Sequence, residues 1–263
     1  MDWAGATVVV TGASRGIGRA VAEAAARRGA GVGLVARSED DLRAVLAELG
    51  GRGAMAAADV ADVEQLTTAI GALESALGPV DILVANAGIG AYGAFADVDA
   101  GEVERIVRVN VLGTAHAIRM VVPGMIERRH GHIVTIGSIA GRIGSPFEAI
   151  YSATKFAGVG LTEALAVELA PYGIGVSMVN PGPVATGFAE TRRHPYDRAH
   201  PRPVPAARVA QAVVEAVEQG RHETYVPGFF RPAVVARHLA PPLFRWGLRR
   251  SFTSELARDQ GAR

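Results

Sequence analysis

Seven short apolar runs punctuate the chain: Thr7–Val10, Gly31–Ala36, Ala54–Ala58, Ile82–Ala85, His132–Gly137, Gly175–Val179 and Glu223–Val226. Between them lie stretches of helical period near 17–29, 39–49, 62–77, 99–128, 150–171 and 205–219. A strand that is apolar throughout, rather than at alternate positions, is buried on both faces and needs helices above and below it. With right-handed crossovers the alternation predicts an α/β fold, a doubly wound parallel sheet of about seven strands with helices on both faces. Local signals agree. Asp62 and Gln65 have capping-box spacing, Pro205 suits a first helical turn, and Gly29 and Gly173 suit helix stops. No internal repeat is present.

At 263 residues and 27.3 kDa the chain suits one large domain spanning 1–263. With 49% hydrophobic residues it can build a sizeable core, which excludes general disorder. Lys+Arg 27 against Asp+Glu 26 argues against binding nucleic acid by bulk charge. Zero cysteines exclude disulfides, thiolate metal sites and a Cys nucleophile. No metal site is expected. No uninterrupted apolar run approaches a membrane span, and the first ten residues lack a basic segment and run straight into a strand. A cytoplasmic protein is expected. Among the basic residues only Lys155 is a lysine.

The first strand ends in Thr11-Gly12-Ala13-Ser14-Arg15-Gly16-Ile17-Gly18 and passes at once into a helical pattern. Gly12 permits a sharp turn, Gly16 permits close backbone approach to a pyrophosphate, and Gly18 permits helix-on-strand packing. The helix N-terminus then faces the phosphates with its positive end. In this strand–turn–helix context the glycines predict a Rossmann-type dinucleotide site. The second strand ends Leu34-Val35-Ala36-Arg37-Ser38, with no carboxylate for a ribose 2′-hydroxyl. Arg37, with Arg15 from the glycine turn, suits a 2′-phosphate, so NADP(H) is favoured over NAD(H). The alternative for Arg37 is an ordinary solvated arginine.

Further along stand Asn86-Ala87-Gly88, Asn110, Ser138, Tyr151-Ser152-Ala153-Thr154-Lys155 and Pro181-Gly182. Together with the glycine turn this set resembles the short-chain dehydrogenase/reductase family, of the single-domain kind. The resemblance spans about residues 5–228 and weakens through the loop at 189–205 and the tail. The chemistry can also be read from the residues. Tyr151 and Lys155 are one helical turn apart and share a face. A free phenol, with a pKa near ~10, is a poor base at neutral pH, and a neighbouring ammonium favours the phenolate. Tyr151 can then give a proton to a carbonyl oxygen as hydride arrives, or remove it in reverse. Ser138, at a strand's carboxyl end, can hydrogen-bond the same oxygen.

The resemblance implies further roles. Lys155 would also hold the nicotinamide ribose. Asn110 would hold a water in a proton relay, completing a catalytic set with Ser138, Tyr151 and Lys155. The cofactor would lie against Gly12, Ser14, Arg15, Gly16, Ile17, Gly18 and Arg37, with Asp59 and Val60 at the adenine. Asn86, Ala87 and Gly88 would support the turn over it. Pro181, Gly182, Val184 and Thr186 would follow, with Thr186 at the carboxamide. Asn86 and Asn110 could instead mainly bridge backbone, and Asp59 could merely terminate a strand. Gly137 stands where the family commonly has a second serine.

The function expected is an NADP(H)-dependent oxidoreductase interconverting a ketone or aldehyde and an alcohol. The alternative is a non-catalytic dinucleotide-binding sensor or scaffold, which the intact Ser138, Tyr151 and Lys155 argue against. Ile89, Ile143, Phe147, Ile150 and Phe188 are expected to line the substrate side with Ser138 and Tyr151, which points to a lipophilic or aromatic carbonyl. The polar, Pro-rich loop 189–205 reads as a lid over the site, with a plain surface linker as the other reading. Residues 221–263 carry a charge of +5 and mix large apolar side chains with Arg. This C-terminal extension, 229–263, is expected to fold over the cleft or a neighbouring subunit, and peripheral membrane contact is the other reading. Pro232, Pro241 and Pro242 should prevent one long helix. A homodimer or homotetramer is expected through the helices at 99–128 and 150–171. Those helices hold more apolar residues than one core face requires: Val103, Ile106, Val107, Val111, Leu161, Leu165, Val167 and Leu169.

Overall fold

The computed structural model describes residues 1–188, 192, 194, 196, 201–253 and 255–257. Every predicted strand forms within two residues of its expected ends. The first half contains β1 (Thr7–Thr11), α1 (Gly16–Ala26), β2 (Gly31–Ala36), α2 (Glu39–Leu49), β3 (Gly53–Ala57), α3 (Val63–Leu77) and β4 (Ile82–Ala85). Then come α4 (Ala100–Val107), α5 (Thr114–Arg128), β5 (Gly131–Ile136), α6 (Ala149–Leu169) and β6 (Ile174–Pro181). Two short strands, β7 (Val184–Ala185) and β8 (Val204–Pro205), precede α7 (Ala206–Gln219), β9 (Glu223–Val226), α8 (Phe230–Leu239) and α9 (Pro241–Ser251). The main sheet is parallel throughout, in the order β3-β2-β1-β4-β5-β6-β9. Strand order reverses between β1 and β4, which opens a crevice at the carboxyl ends of the central strands.

The all-apolar strands divide their side chains between two cores by the period of two. Val8 and Val10 point to one face, with Val21, Ala22 and Ala25 of α1 and Val213 and Val217 of α7. Val9 points to the other, with Leu66, Ile70 and Leu73 of α3 and Val121 and Met125 of α5. Each buried branched side chain contributes about 1.5–3 kcal/mol, so these two layers fix the sheet's position.

Helix ends follow the sequence signals at Asp62 and depart from them at α1, which ends at Ala26 with Arg27 as its cap, ahead of Gly29. Asp62 caps α3 by accepting from the N–H groups of Glu64 and Gln65 at 3.0 and 3.1 Å. Gln65 does not return to the Asp62 N–H as a capping box would. Its amide nitrogen donates to the Asp62 carboxylate at 2.9 Å, and its oxygen accepts from the Asp59 N–H at 3.1 Å. The bond thus braces the loop leaving β3. Pro205 is the cap residue of α7, whose first helical residue is Ala206.

The expected helix over 99–128 is continuous, capped by Asp99, but a π turn at Arg108–Gly113 separates α4 from α5. By length and composition the stretch Ala100–Arg128 is apolar enough to cross a membrane, yet it flanks the sheet, with Ile106, Ala117, Ile118, Val121 and Met125 buried. Much of its apolar surplus is absorbed internally. Ile106 and Leu169 are buried, Leu161 and Leu165 pack on the core, and Val107, Leu112 and Val167 are the large apolar side chains left exposed on α4, the π turn and α6. The loop expected over 189–205 lies largely outside the described residues. The C-terminal extension forms two helices, with Pro232 in the first turn of α8 and Pro241 and Pro242 opening α9. The first turn is where a missing N–H leaves no helical bond unmade.

His132, 4% exposed on β5, gives the fold a pH-dependent element. Ser177 Oγ donates to the Arg221 carbonyl at 2.7 Å, so at the 2.8 Å contact with His132 the imidazole Nε2–H is the donor. Burial lowers its pKa to about 4 from the ordinary 6.5. Because protonation then favours the unfolded chain, stability is complete above pH 6.5 and falls as pH drops towards 4. The expected loss is about 2 kcal/mol by pH 5. Urea unfolding between pH 7 and 5 should show this slope, and His132→Gln should flatten it.

Candidate active site

The glycine turn and β4 are tied together across the crevice. The Thr11 hydroxyl accepts from the N–H groups of Asn86 and Ala87 at 3.0 and 3.1 Å. The Asn86 amide donates back to the carbonyls of Thr11 and Gly12 at 2.9 and 3.1 Å. Gly18 packs directly on this junction, since a Cβ there would strike the Gly12 carbonyl and the Asn86 amide. Gly12 and Gly16 adopt φ of +65° and +58°. Helix α1 begins at Gly16 behind an extended Arg15, with no side chain capping its first N–H groups. Those groups open into the crevice with the positive end of the helix behind them.

A cavity of about 1140 Å³ runs along the carboxyl ends of the strands. One end is walled by Ser14, Arg15, Gly16, Ile17, Arg37, Asp59 and Val60, and its floor by Gly12, Asn86, Ala87 and Gly88. At the other end stand Ser138, Ile143, Tyr151, Lys155, Phe188, and the segment Pro181, Gly182, Val184 and Thr186. A single small-molecule pocket occupies ~300–1,000 Å³, so this volume suits a dinucleotide and a substrate end to end. Two carboxylates near Arg37 are already engaged: Arg43 bonds Glu39 and Asp40 at 2.6 and 2.7 Å. Asp59 lines the cavity while its carboxylate accepts from the Ala61 N–H at 2.9 Å, so it also shapes the turn after β3.

Ser138 follows β5 and caps the short turn Ile139–Gly141, its Oγ accepting from the Ala140 N–H at 3.1 Å. Helix α6 presents Tyr151 and Lys155 one turn apart on the same wall. Tyr151 is 9% exposed and shares the cavity wall with Ser138. Lys155 Nζ donates to the Ile136 carbonyl at 2.9 Å and lies 5.8 Å from the Tyr151 ring centre. The two groups do not titrate as the sequence suggests. Burial pushes the Tyr151 phenol up, against the hydrogen bond from Ser138 and the charge of Arg192, while Glu148 adds to the rise. Burial also lowers Lys155 to about 8. Desolvation is the largest effect on the phenol, so Tyr151 rests protonated, the form that donates a proton.

Asn110 sits in the π turn, a device that re-aims side chains near sites. It does not line the cavity. Its amide hydrogens go to the Ile89 carbonyl at 2.9 Å and Thr154 Oγ1 at 3.0 Å, and its oxygen accepts from the Ile89 N–H at 2.9 Å. Its place is behind Gly88, binding the loop after β4 to α6. Gly18 likewise acts from behind the wall. Phe147 and Ile150 are also off the cavity: Phe147 packs on Tyr92 at 5.7 Å between rings, and Ile150 packs beside Ile89 and Ile106. Ile89, Ile143 and Phe188 do line it, and the Phe188 ring lies 5.6 Å from that of Tyr151.

Sequence reading missed part of the wall. Tyr92, Glu148 and Arg192 close one side, with Arg192 ion-paired to Glu148 at 2.8 Å and placed over Tyr92 at 4.5 Å. The spacing Ser145-x-x-Glu148 before an apolar helix was a usable signal. Ser145 Oγ donates to the Glu148 carboxylate at 2.8 Å. The described residues of the 189–205 loop that reach the cavity are Arg192, Tyr196, Pro201 and Pro203. Phe230, Leu248, Phe252 and Glu255 bring the C-terminal helices over it, as the tail was expected to do.

Gly137 has a physical explanation. A Cβ there would run into Asn180 Oδ1 and stand 3.1 Å from Met178 Sδ. The neighbouring strand thus occupies the space a serine would need, and Asn180 is held in it by a 2.7 Å bond to Glu223.

A glycine-turn crevice that continues into a Ser-Tyr-Lys wall defines a dinucleotide-dependent oxidoreductase. Comparison with known proteins is consistent at every level. Residues 6–197 match the family described as short chain dehydrogenase. The ketoacyl reductase HetN of Nostoc sp. is 36% identical over 226 residues, 84% of this chain and 78% of that protein. A short-chain dehydrogenase/reductase from Burkholderia phymatum, solved with NAD, superposes with a TM-score of 0.85 at 30% identity, covering 92% of this chain and 96% of the other. An alcohol dehydrogenase from Thermococcus sibiricus, solved with 5-hydroxy-NADP, gives a TM-score of 0.76 at 26% identity over 84% and 95% of the chains. The chain belongs to the short-chain dehydrogenase/reductase family. It is an oxidoreductase of the class acting on CH–OH groups, and a nicotinamide dinucleotide is its supported cofactor.

The Gly137 contact yields a test. Gly137→Ser should cost about 1–3 kcal/mol by overpacking against Asn180. Asn180→Ala in the same chain should recover part of that loss, giving a coupling of at least about 0.5 kcal/mol in a double-mutant cycle by urea unfolding.

Proposed function

We propose that the protein is an NADP(H)-dependent reductase of a ketone or aldehyde on a lipophilic or aromatic substrate. The observation that carries this reading is that Ser138, Tyr151 and Lys155 stand together on the wall of the cavity into which Arg37 opens. The glycine turn, Asn86, Thr186 and Lys155 would hold the nicotinamide cofactor, which would supply the hydride. Tyr151, protonated at rest, donates its phenolic proton to the carbonyl oxygen as negative charge develops there. The Ser138 hydroxyl donates a second hydrogen bond to that oxygen, stabilising the charge in a site sheltered from water. Lys155, aligned by the Ile136 carbonyl, keeps a positive charge near the phenol and eases the loss of its proton. Asn110 acts as a positioning residue, fixing Ile89 and Thr154 beside this set.

Preference for NADP(H) rests on the strand end Ala36-Arg37, which has no acid for a ribose 2′-hydroxyl. Among the described residues Arg37 forms no ion pair, which leaves its guanidinium for a phosphate. The lipophilic substrate is supported by Ile89, Tyr92, Ile143, Phe188, Leu248 and Phe252 on the cavity wall. The name of the Nostoc relative, a ketoacyl reductase, is compatible with a fatty or polyketide-like ketone.

The test begins with NADPH and NADH titrations followed by cofactor fluorescence, then turnover on a panel of lipophilic and aromatic ketones. Wild type should bind NADPH the more tightly, and Arg37→Ala should erase most of that preference while leaving NADH affinity within a few-fold. Tyr151→Phe should keep NADPH affinity and lower kcat by on the order of 10²-fold or more, the range a general acid contributes. Binding of neither cofactor would sink the reading. A homodimer or homotetramer is part of the same proposal, supported by exposed Val107, Leu112 and Val167 along α4 to α6. Light scattering should give a multiple of the 27.3 kDa chain mass.

A further inference from the structure

We propose that α8 and α9 seat this protein on an anionic membrane surface, with the mouth of the cavity beside the bilayer. Each helix has two distinct faces. The inner faces are committed to the protein. On α8, Arg237 donates to the Arg142 carbonyl and lies over the Phe156 ring at 4.7 Å, Val234 is buried, and Phe230 reaches the cavity at Gly182. On α9 and the residues after it, Leu248 and Phe252, four apart, line the cavity.

The outer faces have nothing over them among the described residues. Phe229 is 61% exposed, Leu239 81%, Leu243 66% and Trp246 60%. Leu243 and Trp246 are three apart on α9 and therefore share one face, with Arg250 one turn on, its guanidinium 5.7 Å from the Trp246 ring centre. Arg245 and Arg249, also exposed, flank that face. Between Phe229 and Thr253 the sequence holds five Arg and no Asp or Glu. The positive charge is segregated here, since residues 221–263 sum to +5 and the rest of the chain to −4.

Charge complementarity specifies the occupant. An apolar face with Trp and Leu at its centre and Arg at its rim matches the boundary between acyl chains and anionic headgroups. An acidic protein partner would answer the arginines but leave Leu239, Leu243 and Trp246 in water. A second copy of the chain would bring the same positive patch against itself. The inner face of α9 walls the cavity whose outer face meets the lipid, so an apolar substrate could enter from the bilayer edge. That consequence rests on the reductase reading, whereas the docking itself does not.

The full-length chain is titrated with vesicles of phosphatidylcholine alone and of phosphatidylcholine with about a third phosphatidylglycerol. The chain has two tryptophans, and Trp3 is 1% exposed, so a change in emission reports Trp246. Expected are a blue shift and co-sedimentation with the anionic vesicles, both weakened by salt. The triple charge reversal R245E/R249E/R250E, and separately L239S/L243S, should each reduce vesicle affinity at least tenfold. Circular dichroism and thermal unfolding of the variants should match wild type, which separates lost docking from lost folding. No association with anionic vesicles, or association untouched by the charge reversal, overturns the proposal. So does a wild-type oligomer that L239S/L243S converts to a smaller particle by light scattering, because a second copy then covers the face.

Discussion

The junction of Thr11, Gly12, Gly18 and Asn86 is the point on which the site depends. Strands β1 and β4 are neighbours in the sheet but diverge in where their chains go next, and the crevice exists because of that divergence. Left alone, two loops leaving adjacent strands in different directions would be mobile. Four hydrogen bonds between the Thr11 hydroxyl, the Asn86 amide and backbone groups lock them together. Gly18 lets α1 press against the same point, and any side chain there would push the helix N-terminus out of the crevice. A polar clamp of this kind is worth little as isolated bonds, each about 1 kcal/mol net, but unpaired buried groups would cost more. Its value lies in fixing where the first N–H groups of α1 point.

A second constraint is electrostatic and acts at the other end of the cavity. Placing Tyr151 and Lys155 out of water raises the phenol's pKa and lowers the ammonium's, which drives two nearly equal proton affinities apart and holds the phenol protonated. Tyr151 shares its site with Ser138 and with the Glu148–Arg192 pair, and the charges of that pair act on the phenol in opposite directions. The supports are backbone carbonyls and turns: Ile136 holds Lys155, Ala140 holds Ser138, and Ile89 holds Asn110. The reactive side chains are therefore aimed by strand ends, which are the least mobile parts of the fold.

The sheet was legible in the sequence because a strand buried on both faces must be apolar at every position, as Val8-Val9-Val10 is. The cofactor end was legible because backbone geometry there admits only glycine, and Tyr151 and Lys155 because a shared helical face fixes their spacing. Asn110's bonding to Ile89 and Thr154 was not legible, since a π turn inside a helix leaves no periodic signature. Phe147 misled for a related reason: apolar character does not say whether a loop side chain meets the cavity or packs on Tyr92. The Gly137–Asn180 relation joins residues on adjacent strands, and no local pattern connects them. Arg192, Leu248 and Phe252 lie in segments where many conformations are compatible with the same composition.

This division has a physical basis that bears on specificity. At the cofactor end the floor is main chain and short side chains, with Arg15 and Arg37 as the long side chains of the wall, so substitutions at the glycines alter the turn itself. At the substrate end the wall is assembled from Arg192, Tyr196, Pro201 and Pro203, from the segment around Glu148 and from α8 and α9. None of these carries the sheet, whose two cores close over α1, α2, α3, α5, α6 and α7. Changes there can reshape the pocket without disturbing the junction of β1 and β4. A family fold therefore fixes the reaction class more firmly than the substrate. For this chain the residues that distinguish it from its relatives in function are to be sought in Tyr92, Arg192 and the inner faces of the C-terminal helices, not in the Ser138, Tyr151 and Lys155 set.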